Sequence, residues 1–459
     1  MDFPIFHADF FGNRLLIAII GILHILINHP FAVGMMPLIT VLEWWAYRRN
    51  RADWDELLRK ILGVCFIVTT TVGALTGVGI WFSTAVVNPY AIGSLLRVFY
   101  WAWFTEWVIF CSEVVLILFY FLTWKRMGGE RKPAHIRIGI ALSIMSWLTM
   151  VIVTGILGFM MNPGGWAQEQ SLLSGFLNPL YHPQLLLRTT LALGAAGSLA
   201  LALALPFTEK GSKLRSEATR IFCGWTLFWV VPMIIWSAVY YRAIPVEMLV
   251  NLPVAFGTQA WAGYYGLLLK VAAGITALLI GLCLWGLWQP KRTNAAVWIL
   301  PIICFAILMG QFERTRQFIR KPYVIGFYMF SNGIRVSDVP YILKTGVLAN
   351  SLWTRHTTVT PENKVEAGRD VFMIACSRCH TLNGMNSVSS NLARLYPGQA
   401  WWNAGAIDTY IKNIHGARPH MPPFAGTAAE RSALAAYLAT LYDRRDLTST
   451  ADLPTNNRK

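Results

Sequence analysis

Apolar residues run in eight long blocks, at roughly 15 to 47, 61 to 88, 94 to 124, 136 to 162, 184 to 207, 220 to 243, 261 to 288 and 295 to 312. Crossing a bilayer core takes about 20 apolar residues in helical form, and each block is long enough or nearly so. The first is unusually long, and Pro30 inside it removes a backbone donor and predicts a kink. Beyond residue 312 the pattern changes to short amphipathic stretches. Val365–Phe372 and Arg431–Tyr442 each place their apolar residues on one helical face, with Leu434, Ala435, Tyr437, Leu438 and Leu441 forming the second face. The expected architecture is all-α: a polytopic membrane helical bundle of about eight transmembrane helices over 1–312, an outer-surface connector over 313–361, and a small all-α domain with a tail over 362–459.

Charge gives these blocks a direction. Arg48-Arg49-Asn50-Arg51, Lys125-Arg126, Lys210 with Lys213 and Arg215, and Lys291-Arg292 follow blocks one, three, five and seven. The positive-inside rule makes those loops cytoplasmic, so the N-terminus and the polar tail both face outward. The opening Met1-Asp2-Phe3-Pro4 carries no basic residue, so the first block is expected to act as an uncleaved insertion signal. Composition agrees: 55% of residues are hydrophobic and 14% charged, with 20 Trp and 25 Phe. The net charge of +16 sits in loops between apolar blocks, where topology and lipid head groups account for it without a nucleic-acid partner. The expected location is a bacterial cytoplasmic membrane, multi-pass, with the tail domain periplasmic.

Five of the seven cysteines, Cys65, Cys111, Cys223, Cys283 and Cys304, lie singly in apolar blocks and read as small buried thiols. The other two form Cys376-Ser377-Arg378-Cys379-His380 in the polar tail. Two thioethers to a haem and one axial imidazole need this spacing on one helical turn, and the attachment takes place outside the cytoplasm. Zinc or a redox dithiol also suits a lone motif of this kind. Downstream, His420-Met421-Pro422-Pro423-Phe424 offers a thioether on a proline-stiffened loop as second axial ligand. Residues 362 to 445 resemble a class I cytochrome c, in which such a Met-Pro-Pro-Phe segment supplies the distal ligand. The resemblance implies one covalent haem c on Cys376 and Cys379, with His380 and Met421 on its iron. His415 and His420 are rival ligands, each also readable as a solvated surface histidine.

Ionisable residues inside apolar blocks are costly in lipid and so mark cofactors, partners or water-filled paths. They are His24, His29, Glu43, Glu106, Glu113 and Lys270. Glu43, beside Trp44 and Trp45, reads as interfacial. Glu106 and Glu113 are seven apart, on one helical stripe, which suits a proton path or a haem environment as well as plain contacts between helices. His29 precedes Pro30 and reads as local structure.

At these residues the chain resembles subunit I of the cytochrome bd quinol oxidases. Asn13-Arg14 followed by His24, Pro30 and Gly34-Met35 is similar to that family's first helix, whose histidine ligates a high-spin haem. Glu106, Glu113 and Trp124 are similar to its third helix with two intramembrane glutamates. Gly158–Pro163, Leu177–Pro179 and Arg320–Gly326 resemble three further segments, the last being the family's Gly-Arg-Gln-Pro-Trp stretch. The resemblance implies haem b on His24 and a cofactor contact from Arg320.

Departures matter as much. The register of the family's low-spin haem histidine falls near Leu187 or Arg188, and its methionine partner is replaced by Lys270. The long quinol loop is absent, since only Arg242 to Gln259 is available, and the family's later glutamate is matched by Gly310, with Glu313 nearby. The expected role is a membrane-bound respiratory electron-transfer subunit. It would pass electrons between a periplasmic haem c and membrane haem b or quinone, alongside other membrane and periplasmic subunits. Two alternatives are a bd-like terminal oxidase fed by cytochrome c and a haem-free anchor for the cytochrome domain. The sequence assigns no role to His182 or Lys270.

Overall fold

The computed structural model describes residues 5–257, 266–396 and 402–442. Among them are eight helices long and apolar enough to cross a membrane: Asn13–Arg48, Ala52–Val87, Pro89–Thr123, Gly129–Phe159, Tyr181–Phe207, Lys213–Ala243, Leu267–Trp288 and Ala295–Ile319. Residues 261–265 of the expected seventh block, the end of the 242–259 loop and the tail beyond 442 lie outside the described residues. The chain forms two compact units, one of residues 20–80 and 95–319, the other of residues 1–19, 81–94 and 320–459.

The larger unit is a helical bundle organised on the fifth span, whose apolar window is 67% buried, far more than any other. Small residues let its neighbours approach. A Cβ on Gly34 would overlap the Ala192 backbone, and one on Gly197 would meet Thr226 and Trp225, so the first and sixth spans pack directly on the fifth. The kink expected at Pro30 takes the form of a π-helical segment, His29–Gly34, between the helices Asn13–Asn28 and Met35–Arg48. A second π segment, Thr69–Gly73, interrupts the second span. There the Thr69, Thr70 and Thr71 hydroxyls donate to carbonyls of the preceding turn, a pattern that loosens helical regularity. The eighth span runs seven residues beyond its expected end at 312, because Glu313 and Arg316 are buried in mutual ion pairs instead of facing water. Cys111 departs from the expected burial and is exposed on the third span.

In the smaller unit, helices Lys364–Ala375, Val388–Leu395, Ala404–Lys412 and Ala428–Ala439 enclose Phe372, Leu434, Trp402, Ile407 and Leu438. Gly368 lies against the Ala433 backbone, where any Cβ would clash, so the first and last of these helices cross in direct contact. The last helix begins at Ala428, earlier than its apolar face implies, because Thr427 and Glu430 form a reciprocal capping box. Glu430 also accepts from the amides of Val347 and Leu348 at 3.0 and 2.8 Å, tying that connector segment to the domain. A short hairpin pairs Tyr323–Ile325 with Met329–Phe330.

Candidate functional site

The Cys-x-x-Cys-His segment continues the helix Lys364–Ala375 as one further turn. Cys376 N donates to Phe372 O, Cys379 N to Cys376 O and His380 N to Cys376 O, at 2.9, 3.1 and 3.0 Å. Both thiols are free and half-buried on that turn. His380 Nδ1 donates to the Asn386 carbonyl at 3.1 Å, which leaves Nε2 with its lone pair. Asn386, at φ +56°, returns its side chain to Cys379 O at 2.8 Å and fixes the loop. Burial holds the His380 imidazole below its usual pKa, and Arg14 and Lys321 push the same way, so the ring is neutral. One neutral imidazole oriented through Nδ1 and two unpaired thiols on the same turn form a donor set that fits covalent haem.

The loop carrying the expected second ligand, Met421, belongs to the same compact unit. Its backbone is turned by Met421 N to Arg418 O at 2.8 Å, and His415 Nδ1 donates to Met421 O at 2.7 Å. That bond occupies His415, which is otherwise exposed as expected. His420, the other rival ligand, is half-buried, and its pKa is lowered first by burial and then by Arg418, Arg14 and His380.

Cations from distant parts of the sequence surround the motif. Arg320 is buried, and Lys321 is pulled down to about 8 by burial, with Arg14 and Arg320 acting in the same direction against Cys379. Lys321 donates to Ser331 Oγ at 2.7 Å. The N-terminal segment reaches the same place: Leu382 N donates to Asp9 Oδ1 and Met385 N to Phe10 O, while Arg378 donates to Asn88 Oδ1 at 3.0 Å. Sequence reasoning placed Arg320 near a cofactor. It gave no signal for Asp9 or Asn88, because hydrogen bonds across some 290 or 370 residues leave no local pattern, nor for Asn386, whose role depends on a left-handed turn six residues after His380.

In the bundle, His24 packs against Gly77, whose Cβ would lie 3.2 Å from the ring. Its Nδ1 is 3.1 Å from Thr76 Oγ1, and Thr76 donates its own proton to Val72 O at 2.7 Å, so Thr76 is available as an acceptor. The Asn28 amide lies across the ring, 2.9 Å from Nδ1 and 3.3 Å from Nε2. The donor set fits a haem b axial ligand provided Asn28 rotates aside. His29, five residues on, points elsewhere and meets Arg188 at 3.2 Å. Arg188 itself is ion-paired with Glu313, and Lys270 is exposed, so the low-spin haem ligands of the expected registers have no counterpart here. His182 is exposed, with its ring tilted against that of Tyr181 at 4.9 Å between centroids.

Glu113 accepts from Ser146 Oγ at 2.5 Å and from Thr149 Oγ1 at 3.5 Å, and Glu106 lies half-buried two turns away on the same helix. Glu43 departs from the interfacial reading. It is fully buried, accepting from Tyr120 Oη, His135 Nδ1 and Lys132 Nζ, each at 2.6 Å, while Lys132 also reaches Asp55. Trp44 next to it points outward, because adjacent helical residues face about 100° apart. His135 was invisible as a partner because it lies just outside the apolar block that begins at 136. From Tyr120, hydroxyl groups continue through Thr40 and Ser143, 3.5 Å apart, to within one turn of Ser146.

Residues 13–237 match the family model described as Cytochrome bd terminal oxidase subunit I. Residues 363–438 match the one described as Cytochrome C oxidase, cbb3-type, subunit III. The chain joins a cytochrome bd subunit I-like membrane domain to a cytochrome c domain. Among solved structures it is similar to the bd oxidase from Geobacillus thermodenitrificans, at 15% identity and TM-score 0.56, over 69% of this chain and 89% of that one. That likeness carries the fold alone. No curated protein matches. The bd-like bundle with its cytochrome c domain gives the chain a respiratory electron-transfer role in a membrane, with haem as its cofactor.

Proposed function

We propose that the chain passes single electrons between a covalent haem c on Cys376 and Cys379 and a membrane haem b on His24 or a quinone, as one subunit of a larger respiratory complex. The supporting observation is the hydrogen bond from His380 Nδ1 to Asn386 O, which presents a neutral imidazole on the same turn as two free thiols. Haem bound at such ligands supplies one-electron redox chemistry. The protein orients the imidazoles, through Asn386 for His380 and Thr76 for His24, and surrounds the haem c site with Arg14, Arg320 and Lys321. Those cations favour the reduced, more negative state of the site and give propionate groups their partners. Met421 is the second haem c ligand in this reading, with its loop held by His415.

Glu113 and Glu106 carry protons in the same scheme, with Ser146 and Thr149 orienting Glu113. The distribution of basic loops supports an orientation with the N-terminus and the cytochrome domain on the periplasmic side. Membrane subunits and periplasmic redox proteins are the partners this location offers.

Pyridine haemochrome spectra of the purified complex test the scheme. Both c-type and b-type bands are expected. A c-only spectrum removes the membrane haem b and leaves a quinone or the anchor reading, whereas a CO-reactive high-spin band together with oxygen consumption makes the subunit an oxidase.

A further inference from the structure

The bundle holds a second polar centre that the electron-transfer scheme does not use. Arg188 on the fifth span and Glu313 and Arg316 on the eighth are each at most 4% exposed. Arg188 Nη2 donates to Glu313 Oε1, and Arg316 Nε and Nη2 donate to Glu313 Oε2 at 3.1 and 2.9 Å. One carboxylate therefore serves two guanidinium groups. Among the described residues, no other carboxylate forms an ion pair with either guanidinium. Arg188 Nη1 is a donor, so His29 Nε2 at 3.2 Å accepts and the imidazole is neutral. Tyr240 on the sixth span and the Phe312 ring, 5.4 Å from the Arg188 guanidinium carbon, are further neighbours, and His24 lies near His29. The cluster carries a net charge of +1 inside an apolar bundle.

Its donors are also incompletely used. Among the described residues, Arg188 Nε and Arg316 Nη1 have no hydrogen-bond partner, and neither does the side-chain amide of Gln184, a fully buried residue one turn from Arg188 on the same helix. A buried unpaired charge costs several kcal/mol, and each unmade bond to a charged donor adds to that. A small anion between these groups corrects both deficits at once. It supplies the missing negative charge and accepts from several N–H groups, as acceptor-only ions do.

We infer that Arg188, Arg316 and Gln184 bind one halide-sized monovalent anion among the first, fifth and eighth spans. This site lies where the bd resemblance places the register of a haem-ligating histidine, and here Arg188 brings a positive charge in its place. The binding rests on this geometry alone and stands or falls independently of the electron-transfer reading.

Bromide tests it directly. The full-length complex, equilibrated with sodium bromide and then desalted into halide-free gluconate buffer, is expected to retain bromide at one per chain by X-ray fluorescence, displaceable by chloride. Arg316→Gln should weaken retention about tenfold or more, the worth of one charge-assisted hydrogen bond. Gln184→Leu leaves both ion pairs in place and should weaken it less, which guards against a variant that fails to fold. Halide should also raise the Tm of the wild type but not of Arg316→Gln. Failure to retain bromide, equal retention by all variants, or a map showing only water or a porphyrin carboxylate at this position overturns the proposal.

Discussion

Glu430 gives the most quantitative test of how the cytochrome domain is held together. Its carboxylate is 4% exposed and accepts three backbone amides, from Val347 at 3.0 Å, Leu348 at 2.8 Å and Thr427 at 2.8 Å. Replacing it with Ala leaves all three donors without their acceptor in a site closed off by the domain core. Hydrogen bonds to a charged group contribute about 1.5–3 kcal/mol each, so the substitution should cost about 4 kcal/mol or more. For a domain of this size, each kcal/mol moves Tm by about 4–8 °C, which puts the expected drop at about 16 °C or more. Glu430→Gln keeps an acceptor oxygen and the side-chain shape, and should lose roughly half as much. The assay is thermal unfolding of the full chain followed by haem c absorption, with detergent and salt fixed. A drop of less than about 5 °C for the Ala variant would mean that water replaces the carboxylate, and that the 347–348 segment is not part of the domain core.

Three further outcomes address the redox and proton groups. Met421→Ala should leave haem covalently attached but abolish the thioether-to-iron absorption band and lower the midpoint potential; an unchanged potential means that the half-buried His420 or another group is the ligand instead. Thr76→Val removes the acceptor for His24 Nδ1 while preserving shape, and should broaden or shift the b-type spectrum without affecting the c-type band, whereas His24→Ala should abolish it; identical b-type spectra in all three proteins exclude His24 as a ligand. Glu113→Gln retains the packing against Ser146 and Thr149 but cannot release a proton, so steady-state turnover should fall with both haem contents unchanged, and undiminished turnover rules out a proton path through Glu113.

The Cys376 to His380 motif was legible in the sequence because its spacing is local. Two thiols and an imidazole on one turn need only the spacing from Cys376 to His380, and the same turn is found in the structure. The eight spans were legible for a similar reason, since a bilayer core selects on length and hydropathy within one contiguous segment. The Glu106–Glu113 stripe follows from helical period alone.

What surrounds those groups was decided by packing. Glu43 reads as interfacial beside two tryptophans, yet the third and fourth spans bring Tyr120, His135 and Lys132 against it, and a buried carboxylate is tolerated only with such partners. Arg316 and Lys321 are five residues apart, but they separate according to which buried acceptors each reaches: Arg316 pairs with Glu313 and Lys321 with Ser331. The sequence by itself determined the membrane spans and the spacing of Cys376 to His380, both properties of short contiguous segments. Only the tertiary structure decided which hydroxyl faces His24, and that Arg188 lies in an ion cluster with one positive charge in excess. Those outcomes depend on side chains far apart in sequence meeting where water is excluded, and there the energetic cost of an unpaired polar group selects the partners.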